Sequence, residues 1–192
     1  ILNVTVADAE QYRTEIQRPS VQWPNEPVGD YFNAQIRKRY GNLRTVRIDP
    51  SSNALDFDTV RIMANHADLI LCTVYSKARS GSGQFGLSPA LVACVESLLL
   101  MKKPCVLVSM GSPYVLRAFS GASAFVCSYS DAEASTEATA EVLFGEVPSR
   151  GKLPVTIPGK FPYGTGMELA GEVLRYDIPE SAGFIGDSLA RL

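Results

Sequence analysis

Apolar runs of strand length alternate with stretches of helical periodicity along most of this 192-residue chain, and that alternation narrows the choice of fold more than any other feature. Ala67 to Tyr75 (ADLILCTVY) is apolar and β-branched after its acid, the pattern of a strand buried on both faces. Pro104 to Met110 reads the same way. Ile1 to Val6, Arg44 to Ile48 and Ala124 to Tyr129 supply three further strands. Between them lie helices. Val28, Phe32, Ile36 and Tyr40 recur every four residues before Gly41. Asp56 caps a short helix running to about His66. Ser88-Pro89 supplies an N-cap and a proline at N1 for a helix through Leu91, Val92, Val95, Leu98 and Leu99. Lys102 and Lys103 suit that helix's own C-terminus. Pro113 to Phe119 reads as one or two helical turns, and Glu133 to Phe144 as a helix stopped by Gly145. Leu153 to Ile157 reads as a last, short strand. The expected fold is α/β: a three-layer sandwich with a mainly parallel sheet of five or six strands and helices on both faces.

Composition excludes several functions. With 46% apolar and 20% charged residues the chain is an ordinary globular one, so intrinsic disorder is not the answer. Its 18 Lys and Arg against 20 Asp and Glu leave no basic excess to neutralise a phosphate backbone, so no nucleic-acid partner is expected. No apolar stretch is long enough for a membrane span. A single histidine, His66, rules out a multi-histidine metal site within the chain, and no metal or other cofactor is expected. The four cysteines, Cys72, Cys94, Cys105 and Cys127, form no CxxC pair and read as buried thiols.

Ligands of parallel sheets collect outside the carboxyl ends of the strands. Here those ends carry Asp49, the polar loop Ser76 to Gly86, Met110 to Pro113, and Ser128 to Asp131. Gly81-Ser82-Gly83-Gln84-Phe85-Gly86 spells GxGxxG. Five residues separate it from its strand, and no acid lies about 20 residues on to hold a ribose, so a dinucleotide fingerprint is a poor reading. Lys77, Arg79 and Gln84 in the same loop can donate hydrogen bonds to an anion or a sugar hydroxyl, and are the candidate substrate contacts. No GxSxG elbow accompanies His66. Asp49 and Asp131 end strands, but nothing in their spacing makes them a glycosidase pair.

Ala140 to Pro158, AEVLFGEVPSRGKLPVTIP, carries the most specific pattern. It resembles the C-terminal domain of family 3 glycoside hydrolases, whose last helix commonly ends in LFG and leads into G-[KR]-LPVT-x-P. Ala67 to Val74 and Leu87 to Met110 resemble that family's strand, helix and following strand, and Gly111-Ser112-Pro113 its G-x-P turn. The resemblance covers about residues 60–158. It implies a domain over 1–158, with 159–192 an irregular tail and linker. It also implies an N-terminal TIM barrel on the same polypeptide, which binds carbohydrate and carries the nucleophilic aspartate. One branch of the family adds an acid/base glutamate from a loop of this domain. The loop Ser76 to Gly86 has no acid, so the chain looks more like the β-N-acetylhexosaminidase branch, in which both catalytic groups belong to the barrel. No catalytic residue is carried over, and the isolated chain is expected to be inactive. Tyr176 to Leu192 resembles the junction to a downstream β-lactamase-like domain, which implies a bacterial cell-wall enzyme in the periplasm or outside the cytoplasm. The alternative is a free-standing nucleotide- or phosphosugar-binding α/β module that uses the Gly81 to Ser88 loop.

Overall fold

The structure, a computed structural model, describes residues 1–8, 27–76 and 86–171. Five strands form one sheet: β1 (Leu2–Ala7), β2 (Arg44–Ile48), β3 (Ile70–Tyr75), β4 (Cys105–Ser109) and β5 (Ala124–Cys127). Their order is β2-β1-β3-β4-β5 and every pairing is parallel, as the apolar central runs require. Four helices accompany them: α1 (Asp30–Arg39), α2 (Ala54–Asn65), α3 (Pro89–Leu99) and α4 (Glu133–Leu143). Pro113–Ala118 is a 3₁₀ turn between β4 and β5. The chain moves one way from β1 to β2 and the other way through β3, β4 and β5. The switch point therefore lies between β1 and β3.

Two cores flank the sheet. On one face Val60 and Ala64 of α2 and Leu91, Cys94, Val95 and Leu98 of α3 cover Leu2, Val4, Val6, Ile70, Cys72 and Val74. On the other, Phe32 and Ile36 of α1 and Ala140 of α4 cover Ala7, Leu71, Tyr75 and Val108. The three-layer sandwich follows directly from these two apolar faces. No helix of the described residues is long and apolar enough to cross a membrane.

Local readings differ at four places. Asn53, not Asp56, caps α2: its side chain accepts from Leu55 N at 2.8 Å, while the Asp56 side chain accepts from Asn53 N at 2.8 Å, a capping box. Lys103 does not serve α3. Its ammonium group donates to the carbonyls of Ala64 (3.1 Å), Asn65 (2.5 Å) and Ala67 (2.7 Å), satisfying the C-terminal end of α2. Tyr40 lies one residue beyond α1, 36% exposed, because its backbone turns extended there. Leu153 to Ile157 joins no sheet. Leu153 N donates to Thr165 O (2.8 Å) and Ile157 N to Phe161 O (2.7 Å), so the segment bonds to the chain that follows it instead.

Candidate functional site at the carboxyl edge of the sheet

The ends of β3 and β4 are tied together beyond the last ladder residues. Met110 N donates to Val74 O at 2.8 Å and Ser112 N to Ser76 O at 3.1 Å, and Asp8 N bonds Tyr75 O at 3.0 Å from the β1 side. Gly111 makes the approach possible. Its φ is +152°, and a Cβ there would stand 2.4 Å from the Ser76 carbonyl oxygen, closer than any side chain tolerates. The Ser109 hydroxyl donates to Ser112 O (3.0 Å), fixing the turn into Pro113. The G-x-P turn thus pins buried Ser76, the root of the polar loop, against the sheet.

Lys77, Arg79 and Gln84, together with Gly81 to Phe85 of the glycine pattern, lie outside the described residues. Gly86 is described, and a Cβ there would meet nothing within 4 Å. The last glycine of a dinucleotide fingerprint allows close helix–strand packing, and Gly86 has no such neighbour.

Asp49 and Asp131 are held apart. Asp49 follows β2 and Asp131 follows β5, the two outermost strands. Four strand spacings of about 4.8 Å separate those strands, roughly 19 Å in all, beyond any glycosidase pair. Asp49 is a turn residue, accepting from Ser51 N (3.0 Å) and Ser51 Oγ (2.5 Å) and facing Arg47 at 3.4 Å. Asp131 is buried after β5, close enough to Tyr75 to act on it. Burial first, then Asp131 and Asp30, drives the Tyr75 phenol well above its ordinary range. Asp8, at the end of β1, also belongs to this edge. The sequence reading passed over it, although an acid directly after an alternating strand was the available signal.

His66 is the C-cap of α2, beside the amino end of β3 and so at the opposite edge of the sheet. Among the described residues, no serine or cysteine of the carboxyl edge can use it as a base. The four cysteines are free thiols, and burial makes them poor nucleophiles: Cys105 and Cys127 are pushed up to about 11, and burial raises Cys72 well above its ordinary value too. No group of three metal-ligating side chains occurs among the described residues.

Residues 4–173 match the family model described as the glycosyl hydrolase family 3 C-terminal domain. The chain belongs to that family. No curated protein matches it. Among solved structures, this family 3 C-terminal domain is similar to a β-N-acetylglucosaminidase of glycoside hydrolase family 3 from Paenibacillus sp. strain FPU-7, at 15% identity and a TM-score of 0.58 over 81% of this chain and 27% of that one. A fungal multi-domain family 3 β-N-acetylglucosaminidase aligns at 19% identity and a TM-score of 0.60, over 88% of this chain and 16% of that one. A β-glucosidase from Erythrobacter marinus aligns at 16% identity and a TM-score of 0.57, over 87% and 31%. At these identities the likeness is one of fold. The domain spans less than a third of each of the three.

Proposed function

We propose that this family 3 C-terminal domain is the accessory domain of a bacterial β-N-acetylglucosaminidase acting on cell-wall or related carbohydrate, with both catalytic groups supplied by an N-terminal TIM barrel of the same polypeptide. The observation that carries the reading is the loop between Ser76 and Gly86, KARSGSGQF, which contains no acid where a β-glucosidase-like domain would lend one. Two structural neighbours named as β-N-acetylglucosaminidases support it, while a β-glucosidase neighbour keeps the wider glycosidase class in view. In this reading Lys77, Arg79 and Gln84 are hydrogen-bond donors to sugar hydroxyls or to a carboxylate on the wall fragment, on a loop whose root the G-x-P turn fixes. The resemblance of Tyr176 to Leu192 extends the proposal to a following β-lactamase-like domain and an extracytoplasmic location.

The test uses the parent polypeptide and a nitrophenyl N-acetylglucosaminide. Replacing Lys77, Arg79 and Gln84 together by alanine lowers kcat/KM by about tenfold or more with the fold intact. Unchanged kinetics would remove the loop from the substrate site. A parent gene without a barrel upstream would overturn the proposal as a whole.

A further inference from the structure

A cavity of about 680 Å³ lies between the start of α3 and the 3₁₀ turn. That volume is ordinary for a small-molecule pocket. Leu87, Val92, Val115 and Pro158 of the LPVTIP segment supply its apolar lining. Two further lining residues carry the chemistry. Tyr114 is 41% exposed, and Arg117 is exposed with no ion pair or side-chain hydrogen bond among the described residues. No carboxylate lines the cavity among those residues.

We infer that this cavity is a binding site for a compact amphiphilic anion, an acyl or aryl group bearing one carboxylate, whose apolar body lies between Leu87, Val92 and Val115 and whose charge meets Arg117. The guanidinium is a fork-shaped donor matched to a carboxylate, and an unpartnered one beside an apolar wall has no internal anion to compete with the ligand. The wall favours the apolar body because seating it removes exposed hydrocarbon from water. A neutral sugar fits less well. Sugars are held by several polar side chains, and here, among the described residues, only Tyr114 and Arg117 offer any. The inference rests on residues other than the three replaced above, and the cavity adjoins their loop at Gly86.

Calorimetric titration of the 192-residue chain with sodium octanoate tests it. One octanoate binds per chain. Arg117→Gln weakens it by about tenfold or more. Ala118→Trp, which fills the cavity from its exposed rim, abolishes it. Octan-1-ol binds about tenfold more weakly than octanoate. Both substituted positions are exposed, so the variants keep the fold, which a thermal melt verifies. Absence of saturable octanoate binding, equal affinity in Arg117→Gln, persistence in Ala118→Trp, or equal affinity for octan-1-ol would each overturn the assignment. So would tighter binding of methyl β-N-acetylglucosaminide than of octanoate, which would make the cavity a sugar site.

Discussion

The two faces of the sheet are built from the same strands and follow different rules. β1 sends Leu2, Val4 and Val6 to the face under α2 and α3, where they pack into a cluster of apolar side chains and thiols. It sends Asn3 and Thr5 to the face under α1 and α4, and both are buried. There Asn3 donates to Asn33 Oδ1 of α1 at 2.7 Å and accepts from the Thr73 hydroxyl of β3 at 2.7 Å. Farther out, the Tyr31 hydroxyl of α1 lies 2.8 Å from a Glu133 oxygen and 2.5 Å from a Glu137 oxygen of α4. One face is held by shape and burial. The other adds directed bonds that set how α1 sits against the sheet and against α4. Dry packing tolerates an exchange of apolar shapes, whereas a buried polar relay leaves its remaining members unsatisfied when one is removed.

The largest effect is expected on the dry face. Leu98→Ala empties a fully buried site in α3 and should cost about 3–4 kcal/mol in urea unfolding. A loss below 1 kcal/mol would show that this core is loosely packed. Asn3→Leu comes next, at about 2–3 kcal/mol, because it strands the Asn33 and Thr73 side chains without partners. Adding Thr73→Val should cost less than the sum of the two single changes, which is the signature of a shared network. Strict additivity would reduce the polar face to ordinary packing.

Tyr31→Phe has the smallest effect, about 1 kcal/mol near neutral pH, but it carries a pH signature. Burial first, then hydrogen bonds to Glu137 and Glu133, holds the Tyr31 phenol above its ordinary value of 10.0. A phenol with a higher pKa folded than unfolded contributes stability that is fully present below about pH 10 and is lost as pH rises beyond it. Buried Tyr75 acts in the same direction, so the variant should lose stability less steeply than the parent above pH 10, without becoming flat. Identical slopes in a pH series of urea melts would contradict this.

The dry face was legible in the sequence because its strands are apolar in runs and α3 repeats Leu91, Val95 and Leu98 at helical spacing. The polar face was not. Nothing in an alternating strand announces the partners of Asn3, which the tertiary positions of α1 and β3 supply. Lys103 illustrates the same limit. Its charge called for a helix C-terminus, and sequence proximity chose α3, whereas the fold brings the end of α2 nearer. At the carboxyl edge the G-x-P turn was legible as a motif, but its reason, the carbonyl of Ser76 against Gly111, exists only once β3 and β4 are adjacent. Leu153 to Ile157 has strand composition, yet its backbone bonds go to residues 161–165 and not to a sheet strand.

The proposed accessory role places the chemistry of the glycosidase outside this domain. The direct measurement is turnover of a nitrophenyl N-acetylglucosaminide by the purified 192-residue chain. No release of nitrophenol above the rate without protein is expected. Turnover that is lost on replacing Asp8, Asp49 or Asp131 by asparagine would contradict it and move the catalytic groups onto this sheet.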